Sequence, residues 1–63
     1  METFTTLQQV RDAVNNGDTV TWRNSSYTVQ HWADGSYNVV HSAGNAVGMT
    51  DDYTPQDFNN ESK

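Results

Sequence analysis

Between Thr6 and Asn16 the apolar residues recur with a helical period. Leu7, Val10, Ala13 and Val14 fall at i, i+3, i+6 and i+7, one stripe of a helix, while Gln8, Arg11, Asp12 and Asn15 take the opposite side. Thr6 followed three residues later by Gln9 is a capping box, and Gly17 stands where a left-handed C′ residue is wanted. The pattern predicts one amphipathic helix over residues 6–16.

After Gly17 the period falls to two. Asp18 to Asn24 alternates, with Val20 and Trp22 on one face and Thr19, Thr21 and Arg23 on the other. Asn24-Ser25-Ser26 reads as a turn. Tyr27, Val29 and His31 then alternate with Thr28, Gln30 and Trp32, a second strand. Asp34-Gly35 is the strongest hairpin signal in the chain. Tyr37 to His41 follows as a third strand, Ser42 to Asn45 as a turn, and Ala46 to Thr50 as a short fourth strand at an edge. Thr54-Pro55-Gln56-Asp57 has the form of a helix start, with Pro at the first helical position, and Phe58 is placed to dock back on the domain. The expected fold is α+β: one N-terminal helix packed on a three- to four-stranded antiparallel β-meander, with a short C-terminal turn or helix. Residues 1–58 form the domain and residues 59–63 a flexible tail.

The Asp34-Gly35 hairpin admits two registers. A two-residue loop pairs Trp32 with Tyr37 and places both, with Val39, on one face. A three-residue loop of Asp34, Gly35 and Ser36 pairs His31 with Val39. Tyr27, Val29, His31, Tyr37, Val39 and His41 then lie together under the helix. In both, Trp32 stands opposite Tyr27 and Val29. It either packs on the C-terminal segment or Phe58, or it is exposed as an interface anchor.

Composition changes this picture in three ways. Apolar residues are only 33% of 63, but two Trp, three Tyr and two Phe supply large burial per residue, so a folded domain is expected. There is no cysteine, which excludes disulfides and thiolate metal sites. Its absence, with no basic and apolar leader in Met1-Glu2-Thr3-Phe4-Thr5, points to a cytoplasmic setting. No apolar run approaches the ~20 residues of a membrane span.

Eight acids face three basic residues, a net charge of −5. That disfavours direct binding to nucleic acid or anionic lipid and favours a basic partner. Asp51, Asp52, Asp57 and Glu61 crowd the last 13 residues. Ordered carboxylates there can occupy the positions of nucleic-acid phosphates, or can merely keep a small protein in solution. His31 and His41 are two ligands without a third, too few for a metal site. Asp51, Asp52 and Asp57 lack the spacing and glycine of a calcium loop. No catalytic motif is present, so neither an enzyme nor a cofactor is expected.

The stretch Trp22-Arg23-Asn24-Ser25-Ser26-Tyr27-Thr28-Val29, a W-x-N-x-x-Y-x-V pattern, resembles short proteins encoded by phages and mobile elements. Gly35-Ser36-Tyr37, the segment Asn45 to Thr50 and Asp57-Phe58 share the resemblance. It implies an N-terminal helix before a small β-meander, and it carries no activity. The absence of a basic residue between Asn24 and Glu61 departs from the group. Phage origin would imply a host-directed inhibitor, a class that includes short, acidic anti-CRISPR proteins.

The expected function is therefore a non-enzymatic inhibitor in the host cytoplasm. It would bind a basic, nucleic-acid-handling protein by steric block or phosphate mimicry. The expected partner-binding residues are Trp32, Asp34, Tyr37, Asp51, Asp52 and Asp57. The alternative is a self-association module, a monomer or weak homodimer pairing through the Ala46 to Thr50 edge.

Overall fold

The structure, a computed structural model, describes residues 2–63. The helix α1 spans Leu7–Asn15. Thr6 caps it: its Oγ1 accepts from the Gln9 backbone N–H at 3.2 Å, and Gln9 Oε1 accepts in return from the Thr6 N–H at 3.3 Å. At the other end Asp18 N–H donates to the Ala13 carbonyl and Gly17 N–H to that of Val14. This is the Schellman arrangement, with Gly17 in the left-handed region at φ 89°. The helix and both its ends lie where the pattern placed them.

The sheet is larger than expected. Among the described residues it has six strands, all antiparallel, not three or four. They are β1 (Glu2–Thr3), β2 (Val20–Trp22), β3 (Asn24–His31), β4 (Tyr37–His41), β5 (Ala46–Gly48) and β6 (Phe58–Asn60), in the order β1-β6-β2-β3-β4-β5. The four expected strands are β2 to β5. The added pair is β1, too short to show a period, and β6, whose Asn-Asn has poor strand propensity. β6 pairs with β1 on one side and β2 on the other, with Asn60 opposite both Glu2 and Val20. The boundary drawn after Phe58 thus falls inside a central strand. Glu61 and Ser62 extend the attachment: Glu61 N–H donates to the Thr19 carbonyl and Thr19 N–H to Ser62 Oγ, both at 2.8 Å. The single turn expected after Thr54 is a 3₁₀ turn at Pro55–Asp57, and it delivers Phe58 into the core with no exposed surface.

The β3–β4 loop follows neither predicted register. Trp32 N–H donates to the Ser36 carbonyl at 2.8 Å, so the loop is Ala33-Asp34-Gly35, with His31 opposite Tyr37 and Val29 opposite Val39. The reason is backbone conformation. A three-residue hairpin wants its third residue left-handed, and Gly35, at φ 89°, takes that place where Ser36 would be strained. The β4–β5 loop repeats the device with Gly44 at φ 105°. Relative to the three-residue expectation the pairing slides by two residues, so the faces are unchanged. Tyr27, Val29, His31, Tyr37, Val39 and His41 all point to the helix side. Between β2 and β3 the chain turns at Arg23, whose φ is 65°. The expected turn at Asn24 to Ser26 becomes the start of β3, with Asn24 Oδ1 accepting from the Ser26 N–H at 2.9 Å.

Phe4, Val10, Ala13, Val20, Val29, Val39 and Phe58 form the buried core, with Leu7, Val14, Trp22, Tyr27, Met49 and Tyr53 packed around it. One helix cannot cover the whole face. Nine residues rise ~13 Å as a helix, whereas eight strand residues span ~26 Å. Asn15 and Arg11 of α1 reach Tyr37, so the helix lies over the His31–Tyr37 end. At the Trp22, Tyr27 and His41 end, Tyr53 from the segment after β5 packs beside Trp22.

Candidate functional site

That second end of the face is built from aromatics. Trp22 and Tyr27, brought side by side across the β2–β3 hairpin, meet edge to face with centroids 5.1 Å apart. Tyr27 and His41, opposite each other on β3 and β4, are 4.6 Å apart. Tyr53 stands 5.5 Å from Trp22 and 6.0 Å from Phe58. These rings wall two adjoining clefts. One, of about 360 Å³, lies between Trp22, Tyr27, Val39, His41, Asn45, Val47 and Tyr53. The other, of about 240 Å³, lies between Trp22, Arg23, Asp52, Tyr53, Thr54 and Asp57. Trp22 and Tyr53 line both. Trp22 Nε1 is buried and has no acceptor among the described residues, a cost that buried polar groups seldom carry.

The expected site residues fall in three places. Asp52 and Asp57 line the smaller cleft together. Asp51, beside Asp52, pairs with Arg11 at 3.2 Å. Tyr37 lies on the helix side, half-buried: its ring stacks on His31 at 4.4 Å, its hydroxyl accepts from Asn15 Nδ2 at 2.8 Å, and the Arg11 guanidinium lies 5.9 Å from its centroid. Arg11 therefore links Tyr37 to Asp51. Trp32 is on the opposite face, 42% exposed, its Nε1 donating to Gln30 Oε1 at 3.2 Å. Tyr37 does not join it, and Trp32 is in contact with neither the tail nor Phe58 through any bond or ring pair of the described residues. Asp34 sits in the hairpin loop beside Trp32. The alternation of Trp32 against Tyr27 and Val29 puts it on the face away from the helix, and it is exposed there. Trp22, Tyr27 and Tyr53 carry no such signal in the sequence, because the same alternation marks Trp22 and Tyr27 as core and Tyr53 stands alone between polar residues.

Each basic side chain is engaged: Arg11 with Asp51, Arg23 with Asp57 at 3.7 Å, and Lys63 with Asp18 at 3.9 Å. Among the other acids, Asp12 accepts from Gln8, Asp34 from Ser36 and Glu61 from Thr21. Asp52 has neither an ion pair nor a hydrogen bond to its carboxylate among the described residues. A wider groove of about 730 Å³ runs between α1 and the β1–β6 edge, but Asn60 and Lys63 already engage its Asp18. Among the described residues no three His, Cys, Asp or Glu side chains are placed to hold a metal ion, and no helix is long and apolar enough to cross a membrane.

Asp34 has its pKa held below the ordinary 3.8, first by the Ser36 hydroxyl at 2.6 Å and then by the Ser36 backbone N–H at 2.9 Å. Both bonds favour the charged form. A carboxylate with a depressed folded pKa stabilises the fold above its unfolded value, and this contribution is lost as pH falls through the folded pKa. Ser36→Ala is expected to move the Asp34 titration up toward 3.8 without displacing other carboxylates. Carbon-detected NMR titration of the side-chain carboxyls reads this, and an unmoved Asp34 midpoint would contradict the hydroxyl's role.

No protein-family model, curated protein or solved structure matches this chain.

Proposed function

We propose that this protein is a non-enzymatic inhibitor of the phage-encoded kind, acting in the host cytoplasm on a basic, nucleic-acid-handling protein. The observation that supports this best is the placement of Asp51, Asp52 and Asp57. The backbone that carries them is folded down by Tyr53, the 3₁₀ turn and β6, so Asp52 and Asp57 stand on the rim of an aromatic cleft and Asp51 stands beside them, paired with Arg11. Anions beside half-buried ring surface suit a partner whose surface is basic with apolar patches. Such a rim blocks the partner's groove by bulk or by occupying phosphate positions, and anti-CRISPR action is the finer form of this reading.

Asp52 is the discriminating residue, because it is exposed and makes no bond that folding needs. Asp52→Lys is expected to leave the melting temperature unchanged. It should weaken capture of the basic partner about tenfold, with a shallower salt dependence. Tagged wild type and variant would be compared in host lysate at low and high salt. A partner held equally by both at low salt would remove the acidic rim from the mechanism.

A second reading, self-association, draws on β5. It is an edge strand, Val47 on it is 59% exposed, and its pairing with β4 leaves the backbone groups of Ala46 and Gly48 facing outward. Light scattering that stays monomeric across concentration would exclude it.

A further inference from the structure

The smaller cleft is lined in part by a guanidinium of the chain's own, that of Arg23. Arg23 Cζ lies 4.6 Å from the centroid of the Trp22 ring, and Arg23 Nε lies 3.7 Å from Asp57 Oδ2. The placement is imposed by the backbone. The Arg23 N–H donates to the Asp57 carbonyl at 2.8 Å, which pins the β2–β3 turn against the 3₁₀ turn. At φ 65° the turn itself asks for glycine, asparagine or aspartate at this position, not arginine. The side chain is 62% exposed and its pair is long, so this guanidinium is held weakly.

We propose that the cleft between Trp22, Tyr53, Asp52 and Asp57 is a receptor for one arginine side chain of the partner, with Arg23 as an internal occupant that yields the place on binding. This deepens the reading above and rests on it. A planar guanidinium needs a flat aromatic wall and carboxylates at its edge, and lysine, a compact and strongly hydrated point charge, uses such a wall less well. Trp22 supplies the wall and Asp57 one carboxylate, as Arg23 demonstrates. Asp52, on the same cleft, is a second carboxylate with no cation of its own among the described residues. The net charge of −5 draws a cationic segment to the surface, and Arg11 and Lys63 are engaged elsewhere. An internal occupant lowers the apparent affinity of an incoming one by the fraction of time it holds the site. Removing Arg23 should therefore tighten binding, the opposite of what a partner-contacting cation or a structural residue would do.

The test uses the full chain and the tripeptide acetyl-Gly-Arg-Gly-amide, with its lysine and citrulline counterparts. Binding is followed through the two indole N–H resonances, Trp22 in the cleft and Trp32 on the far face. Arg23→Gly suits the left-handed turn, so the variant should melt within a few degrees of wild type. The arginine peptide is expected to bind Arg23→Gly about threefold to tenfold more tightly than wild type, from a dissociation constant on the order of millimolar. It should shift Trp22 and leave Trp32 still. Adding Asp57→Asn should remove the gain, the lysine peptide should bind more weakly, and the citrulline peptide should not bind. Unchanged or weaker binding to Arg23→Gly, or a shift at Trp32 alone, would overturn the proposal. If the peptide results fail while Asp52→Lys still releases the lysate partner, the arginine receptor is wrong and the acidic rim stands. If Asp52→Lys leaves the partner bound, the rim itself has failed.

Discussion

Ending the chain after Phe58 is expected to unfold the domain, although only five polar residues are lost. Asn59 and Asn60 carry the pairing of β6 with both β1 and β2. Without them β1 has no neighbour and β2 becomes an open edge. Asn60 is 2% exposed, its Nδ2 donating to Asp18 Oδ2 at 2.9 Å and its Oδ1 accepting from the Ser62 N–H at 3.0 Å. The bonds from Glu61 and Ser62 to Thr19 go as well. At ~1 kcal/mol net per hydrogen bond, the loss is about 4 kcal/mol or more. A domain of this length holds roughly 3–9 kcal/mol in all. Circular dichroism should show no cooperative melt, and the amide spectrum should collapse to unfolded shifts. A truncated chain melting within about 5 °C of the full one would show that β6 contributes little.

The same segment shows where the sequence is legible and where it is not. α1 was readable because stripe, cap and C′ glycine are all local, and each was met by the bond it implies. β2 to β5 were readable because one face is buried and imposes a period of two. β6 was not, because a central strand of Phe-Asn-Asn is specified by its neighbours. Its amides are satisfied by strands distant in the chain, and its one buried Asn by Asp18, 42 residues away. Of the two open hairpin registers, the three-residue one differs from the structure by two residues and keeps every face, while the two-residue one differs by one and would have put Tyr37 beside Trp32. The register is a matter of which residue can be left-handed, the faces of a period that a shift by two preserves.

The candidate site was legible in its charges and not in its walls. Asp51, Asp52 and Asp57 are conspicuous in the chain, but the placement of Asp52 and Asp57 on one cleft comes from the tail's path through Tyr53, the 3₁₀ turn and β6. Tyr37 shows the reverse case. Its exposure depended on whether the loop held two residues or three, and the glycine position in that loop sends it beneath Arg11 and Asn15. A site made of a cleft between a hairpin and the tail that crosses its end requires the tail to be placed first.

Phe58→Ala is expected to be the most damaging single substitution in the chain. Phe58 has no exposed surface and is the largest such side chain. It stands on β6 opposite Trp22 and stacks obliquely on Tyr53, so it is where the core under the helix meets the aromatic wall. Truncating a buried Phe costs ~3–5 kcal/mol, a sum of lost transfer energy and the cavity left behind. The cavity cannot close cheaply here. β6 is hydrogen-bonded on both sides and cannot slide inward, and the flanking Val10 and Val20 are too short to fill the space. Against roughly 3–9 kcal/mol in total, the variant should be largely unfolded at 37 °C. Phe58→Leu retains much of the apolar volume and should fold with an intermediate loss, measurable by urea denaturation followed through Trp fluorescence. The two Trp residues separate the consequences. A Leu variant that keeps the fold should loosen Tyr53 and move the Trp22 indole resonance, while Trp32, on the other face, stays where it is. If Phe58→Ala lost less than about 1 kcal/mol, the segment from Asp51 to Asn60 would not be anchored as the structure places it. The segment that carries the acidic rim would then have no anchor.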